Sequence, residues 1–241
     1  MKTHYPSVIC CGLLFAAVSA PAQGTFQNLG FESATIVHAP GYPSNQFLFA
    51  QAFPGWTGYV AGAQQTLTLY NELSMTTAEF SILDRGFINA GGVPGGLIEG
   101  NFTAVVVSGI SGVDQPSDAT LSQTGLVPVG TESLLFKSQF VPSSSSDSFA
   151  VTLGGQTLSL LPVGGGTNYT LYAADIHAFA GQTAQLAFTV VAPQYPLAAD
   201  YLFLDSIQFS GQSVPEPGIF GLVGLGALAL GWQTWARHRR R

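Results

Sequence analysis

The stretch YLFLDSIQF, residues 201–209, decides the fold. Its residues alternate with the two-residue period of a β-strand, which sends successive side chains to opposite faces of a sheet. One face carries Phe203, Asp205, Ile207 and Phe209, and the other carries Leu202, Leu204, Ser206 and Gln208. The aromatic side chains predict that the first face points into the core. The side chain of Asp205 then also points into the core. Because an unpaired charge is costly there, we expect a cation or backbone hydrogen-bond donors beside it.

Similar runs continue through the chain, and none keeps a helical period of 3.6 residues over several turns. The predicted strands are FLFAQAF (47–53), QTLTLY (65–70), TAVVVS (103–108), ATLSQTG (119–125), SLLFKSQF (133–140), FAVTLGG (149–155), AQLAFTVV (184–191) and YLFLDSIQF. Turn residues separate them at 91–96, 142–146 and 164–166. Because a half-buried sheet needs a second sheet to cover it, the pattern predicts an all-β protein with a two-sheet antiparallel sandwich.

Charge is sparse and one-sided. Of the 241 residues, only 8% are charged, and between Gln23 and Ser213 twelve acidic residues stand against two basic ones, Arg85 and Lys137. The net charge of −10 argues against nucleic acid or anionic lipid as a partner of this body, and it permits bound cations.

The two ends of the chain differ from the body. Residues 1–22 have the basic start, apolar run and small-residue site of a secretory signal peptide, with cleavage expected after Ala22. Both cysteines, Cys10 and Cys11, lie inside it, which excludes disulfides and a catalytic thiol from the mature chain. The domains are therefore a signal peptide at 1–22, a β-sandwich at 23–212 and a C-terminal tail at 213–241.

The tail has three parts. The tetrapeptide Val214, Pro215, Glu216 and Pro217 is held extended by its prolines, and an apolar stretch over about 218–235 is long enough for a short transmembrane helix. Four arginines follow and place that terminus in the cytoplasm: Arg237, Arg239, Arg240 and Arg241. The plain alternative is an uncleaved single-span anchor.

This tail resembles the PEP-CTERM sorting signal of Gram-negative bacteria. The resemblance implies export by the Sec translocon, removal of the signal by signal peptidase, and recognition by an exosortase-type protease that processes the tail near Val214 to Pro217. It also implies transient anchoring in the inner membrane and delivery to the cell surface or the extracellular matrix.

The body resembles the galactose-binding-like jelly roll, a group that includes many carbohydrate-binding modules. The resemblance rests on NLGFESA (28–34), FPGWTGY (53–59), residues 119–140, residues 174–190 and YLFLDSIQF, in that order. It implies a jelly-roll sandwich with a structural calcium ion held by Glu32 and Asp205. This chain has Ser206 where the family commonly has a second aspartate.

Catalytic motifs are absent from the sequence. There is no Gly-x-Ser-x-Gly elbow, no His-Glu-x-x-His and no phosphate loop, and the body offers only His38 and His177 as bases. Asp84 and Glu99 are available as a carboxylate pair, but nothing fixes their separation. Trp56 is expected in the core, while Tyr42 and Tyr195 lie in proline-flanked loops.

We therefore predict a non-enzymatic surface or matrix protein that binds extracellular polysaccharide through residues the sequence does not identify. The alternatives are a structural matrix protein that self-associates and, third, a glycan-active enzyme.

Overall fold

The computed structural model describes residues 24–89, 92–111, 115–193 and 198–214. The predicted signal peptide and the predicted transmembrane helix at about 218–235 lie outside these ranges. Within them, no helix combines the length and the apolar character that crossing a membrane requires.

The described residues form short strands joined by turns. In chain order the strands are β1 Phe47–Leu48, β2 Thr57–Val60, β3 Ala63–Gln64, β4 Leu67–Tyr70, β5 Glu79–Leu83, β6 Thr103–Ser111, β7 Gln115–Ser117, β8 Ala119–Leu126, β9 Ser133–Val141, β10 Phe149–Leu153, β11 Gln156–Thr157, β12 Leu161–Gly165, β13 Thr170–Asp175, β14 Thr183–Val190 and β15 Asp200–Ser210. One α-helical turn, α1, spans Phe49–Ala52, and a 3₁₀ turn spans His177–Phe179.

The strands form two sheets. The larger has the order β1-β4-β5-β6-β15-β9-β13-β12, with β7 paired to β6, and the smaller has the order β11-β10-β14-β8-β2-β3. Every pairing is antiparallel except that of β4 with β5. The predicted all-β, two-sheet antiparallel sandwich is thus confirmed.

The main core lies between the two sheets. The larger sheet contributes Leu202, Leu204 and Phe136 to it, while the smaller contributes Leu121 and Phe188, all essentially without solvent exposure. The rings of Phe136 and Phe188 meet edge to face across the two sheets at 5.2 Å between centroids. This inter-sheet contact is the dominant source of hydrophobic stabilisation, since burial of apolar area is the main favourable term in folding.

A second cluster covers the outer face of the larger sheet, and it corrects the predicted orientation of the last strand. Phe203 and Tyr201 lie in this second cluster under loop residues such as Val93 and Phe87, whereas Leu202 and Leu204 face the inter-sheet core. The register of β15 shifts between Asp205 and Gln208, and Ser206 takes a φ of +50°. This β-bulge returns Ile207 to the inter-sheet core.

The other predicted strands agree with the structure at most positions, with two exceptions. The stretch predicted as a strand at 47–53 is a two-residue strand followed by α1, so that prediction was wrong over 49–53. Gly164 and Gly165, predicted in a turn, belong to β12, which pairs with β13.

The smaller sheet contains no charged residue. Its six strands carry neither Asp, Glu, Lys, Arg nor His. Its inward positions fill the core. Most of its outward positions carry hydroxyl or amide groups. We call this outward surface the uncharged sheet face; it consists of Thr57, Tyr59, Thr120, Ser122, Thr152, Gln185, Ala187 and Thr189.

Candidate functional site

The structure brings the two predicted calcium ligands together beside Gly30. A Cβ placed on Gly30 would lie 3.9 Å from both Asp205 Oδ1 and Glu32 Cγ. Glu32 lies in a turn, and the same segment bonds to the last strand where Ile207 N donates to Leu29 O at 2.9 Å. The β-bulge at Ser206 therefore aims Asp205 at the turn that carries Glu32.

Asp205 is buried, with only 1% of its surface exposed, under the loop before β6 rather than between the sheets. Its Oδ2 accepts hydrogen bonds from Thr103 Oγ1 at 2.8 Å and from the backbone N–H of Glu99 at 3.2 Å, and its Oδ1 accepts one from Ser206 N at 2.7 Å. Burial raises the pKa of Asp205 to about 6 in spite of these donors. The protein itself therefore compensates this charge only in part.

Glu32 is held by the loop that also covers Asp205. Its carboxylate accepts hydrogen bonds from the backbone N–H of Asn101 at 2.9 Å, from Asn101 Nδ2 at 2.8 Å and from the backbone N–H of Phe102 at 3.3 Å. Gly100 makes this approach possible: its φ is +62°, and a Cβ there would lie 2.0 Å from Glu32 Oε1.

Both basic side chains of the body converge on this loop. Lys137 Nζ forms an ion pair with Glu99 Oε2 at 2.7 Å, and Arg85 donates to the carbonyl of Gly100 at 3.4 Å. Lys137 and the Ser206 hydroxyl hold the pKa of Glu99 below its usual range. Lys137 is thereby engaged with Glu99 rather than with Asp205.

The carboxylate oxygens of Glu32 and Asp205 are ligands of the kind that calcium prefers, but these two acids alone do not complete its coordination shell. Calcium takes six to eight oxygen ligands, and two carboxylates supply at most four. Among the described residues, no three or more His, Cys, Asp or Glu side chains gather at one point as metal ligands would. Backbone carbonyls and water would have to supply the rest, so calcium at Glu32 and Asp205 stays a prediction.

The aromatic residues considered as ligand platforms lie in different settings. Trp56 is in the core, with Nε1 donating to Asn28 O at 3.1 Å and its ring 5.5 Å from that of Phe31. Tyr42 is 54% exposed, and Tyr195 lies outside the described residues.

The titratable residues considered for catalysis each have separate partners. His177 pairs with Asp175 at 2.7 Å on the surface, and His38 contacts the carbonyl of Pro43 at 3.0 Å. Asp84 accepts hydrogen bonds from Tyr70 and Asn71. The described contacts thus join neither histidine to a hydroxyl nucleophile.

A cavity of about 570 Å³ opens on the uncharged sheet face. Tyr59, Thr120, Ser122 and Gln185 line it together with Asp118, whose Oδ1 accepts a hydrogen bond from Ala192 N at 2.6 Å. Thr120 and Thr189 share a hydrogen bond across two strands at 2.9 Å. The cavity therefore offers hydroxyls, an amide, one aromatic ring and one carboxylate.

Sequence reasoning did not identify this surface, nor did it identify Asn101 and Thr103. A signal for the surface was present, since ATLSQTGL and TAQLAFTV alternate apolar residues with uncharged polar ones. Asn101 and Thr103 donate hydrogen bonds to acids that lie about 70 and 102 positions away in the sequence. No local sequence pattern can indicate contacts between residues so far apart.

The tail matches a known sorting signal. Residues 213–240 match the family model described as the PEP-CTERM protein-sorting motif, which confirms the sequence prediction. The motif implies an extracellular protein processed by an exosortase system. Apart from Ser213 and Val214, the matched residues lie outside the described ranges.

Two solved structures are similar to the body at low identity. The first, TmCBM61 in complex with β-1,4-galactotriose, is 13% identical with a TM-score of 0.43 and covers 78% of this chain and 99% of its own. The second, the secreted serine protease VesC from Vibrio cholerae, is 11% identical with a TM-score of 0.29 over 58% of this chain. The chain spans about a quarter of VesC, 26% of its length. A search of curated proteins found no match.

Proposed function

We propose that this protein is delivered to the cell surface or extracellular matrix of a Gram-negative bacterium, where its β-sandwich binds an uncharged polysaccharide without acting on it chemically. The observation that carries the proposal is the PEP-CTERM motif at 213–240. The proposed route is export through the Sec translocon, signal removal after Ala22, brief anchoring by the tail, and exosortase cleavage near Val214 to Pro217.

The chemistry of the uncharged sheet face supports a neutral glycan as the ligand. A sugar ring presents an apolar face that stacks on an aromatic ring and hydroxyls that exchange hydrogen bonds with polar side chains. Tyr59 supplies such a ring, and Thr120, Ser122 and Gln185 supply the polar groups. An anionic polysaccharide is disfavoured, because the body carries a net charge of −10 and Asp118 is among the residues that line the cavity.

We further propose that Glu32 and Asp205 hold a structural calcium ion within a jelly-roll connectivity. The partly compensated charge of buried Asp205 supports this, since a divalent cation would supply the missing positive charge. The ion would fix the loop at 99–103 to the last strand, without taking part in a reaction.

Delivery is tested by the mass of the mature C-terminus in the native host. Loss of everything beyond the Pro-Glu-Pro region supports sorting, whereas an intact Arg241 establishes the uncleaved anchor. A matched host strain without its exosortase-type protease is the control, and it should retain the full tail.

Glycan binding is tested by retention of the full chain, purified in mild detergent, on neutral and anionic matrix polysaccharides. Replacement of Tyr59 by alanine should abolish retention on the neutral ones, and replacement of Tyr42, an exposed tyrosine in a loop outside the cavity, should not. Equal retention of the two variants refutes the assignment of the surface. Concentration-dependent self-association without retention on any glycan establishes the rival structural role.

A further inference from the structure

A second group of acids lies at the other end of β15, away from Glu32 and Asp205. Asp200 begins β15 on the face of Leu202 and Leu204, so its side chain points into the space between the sheets. Ser108 of β6 is its direct cross-strand partner and therefore lies on the same face. The loop from β9 to β10, residues 142–148, connects the two sheets and brings Asp147 to this end.

Ser143 connects the two acids. Its backbone N–H donates to Asp200 Oδ1 at 2.6 Å, and its hydroxyl donates to Asp147 Oδ2 at 2.9 Å. Each carboxylate therefore has one oxygen engaged by the same serine. This bridge fixes the two acids side by side at the mouth of the inter-sheet space.

The remaining oxygens of this group are buried and lack donors. Asp200 Oδ2, Asp147 Oδ1 and Ser108 Oγ are each shielded from solvent and have no hydrogen-bond partner in the described structure. Asp200 as a whole has no exposed surface. Such atoms are rare in folded proteins, because a buried polar group without a partner is costly, and a buried charge more so.

Within the described ranges, the basic side chains with recorded partners are engaged away from this group. Lys137 pairs with Glu99, Arg85 bonds to Gly100 O, and His177 pairs with Asp175, all at other places in the fold. Burial raises the pKa of Asp200, hydrogen bonds from Ser143 lower it, and the charge of the neighbouring Asp147 raises it. The charge of Asp147 therefore disfavours the charged form of Asp200.

We propose that Asp147, Asp200 and Ser108 hold a divalent cation of the calcium class at this end of the sandwich. All three free atoms are hard oxygens, the kind that calcium prefers, and the loop at 142–148 is an irregular segment that can adjust to six or more ligands. Water and backbone carbonyls would complete the shell. The cation joins β6 and β15 of the larger sheet to the loop that enters the smaller one, so it ties the two sheets together.

This proposal is independent of the calcium predicted at Glu32 and Asp205, and the test separates the two. Urea unfolding of the full chain in mild detergent is measured with 10 mM calcium chloride and with a chelator, in a background where Asp205 is replaced by asparagine. For a dissociation constant of about 0.1–1 mM, typical of extracellular modules, calcium should lower the unfolding equilibrium constant roughly 10- to 100-fold. Adding Asp147→Asn should abolish this effect, and adding Glu132→Gln, which removes an exposed acid, should leave it intact.

Ser108→Ala provides a variant that does not disturb the charge. Because its hydroxyl has no partner, the alanine variant should be at least as stable as its parent in chelator, yet it should need several-fold more calcium for the same stabilisation. Two results overturn the proposal. The first is calcium stabilisation that is the same with and without Asp147. The second is no calcium effect together with an Asp147→Asn variant that is more stable than its parent in chelator, which identifies two carboxyl groups sharing a proton.

Discussion

Replacing Glu79 with glutamine should stabilise the protein at alkaline pH and leave its stability unchanged at pH 4. Glu79 begins β5 at the rim of the second cluster, opposite Val107 in the register. Burial raises its pKa to about 7 from an ordinary 4.5, a hydrogen bond from Ser74 opposes this, and the charge of Glu72 adds to it. Tyr201 is a further titratable neighbour of Glu79. Its pKa is also raised, by burial first and then by the charges of Asp200 and Glu79.

The magnitude follows from the difference between the folded and unfolded pKa values. At about 1.4 kcal/mol per pKa unit, the full difference corresponds to roughly 3 kcal/mol, and solvent screening of this partly exposed side chain reduces it to about 2 kcal/mol. Between pH 4.5 and 7 the folded state binds more protons at Glu79 than the unfolded state does. The wild-type protein therefore loses stability as pH rises through this window, whereas the glutamine variant does not lose this contribution.

The assay is urea unfolding of both proteins at pH 4, 5.5, 7 and 8.5 in chelator, with Glu132→Gln as the exposed-acid control. The difference between Glu79→Gln and wild type should grow from near zero at pH 4 to about 2 kcal/mol at pH 8.5. The control difference should stay flat. A difference for Glu79→Gln that is the same at every pH, or a variant less stable than wild type at pH 8.5, refutes the reasoning.

Three further predictions concern the core and the calcium site. Leu202→Ala should lower the free energy of unfolding by about 2–5 kcal/mol in chemical denaturation, because it leaves a cavity between the sheets, and a loss below about 1 kcal/mol contradicts that placement. Gly58→Ala should lower the melting temperature markedly in calorimetry, since its Cβ would lie 2.7 Å from ring atoms of both Phe49 and Phe80; an unchanged melting temperature contradicts this. Glu32→Gln, measured by calcium titration of thermal stability with Glu132→Gln as its control, should lose the stabilisation due to the proposed ion at Asp205, and an undiminished effect argues against that ion.

The sandwich was predictable from the sequence because the alternation of side chains along a strand is a local pattern. All eight predicted strands overlap observed ones, and the failure of one of them over 49–53 arose because a short apolar run does not distinguish a strand from one helical turn. The burial of Asp205 was predictable in the same way. The face of the sheet on which Asp205 lies was not predictable. The bulge beside it depends on a positive φ at Ser206, which the alternation of side chains does not indicate.

The candidate site was predictable only in part. Resemblance to a family placed Glu32 near Asp205, and the structure brings both of them beside Gly30. The loop that binds both acids comes from residues 99–103, and its contacts depend on the folded path of the chain. The Asp147 and Asp200 group was equally hidden, since its two acids are 53 positions apart and meet only through Ser143.

The place of β15 in the larger sheet sets the order in which the molecule is completed. It is the last strand of the body, yet it lies in the interior of the sheet between β6 and β9. Without β15, the strands that precede it would leave β6 and β9 with unpaired edges. The sorting motif starts three residues after β15 ends, so Val214 lies within about 14 Å of that strand even in a fully extended chain. A protease that cut near Val214 would therefore have to reach a bond close to the folded sandwich, so the body itself would limit access to the cleavage site.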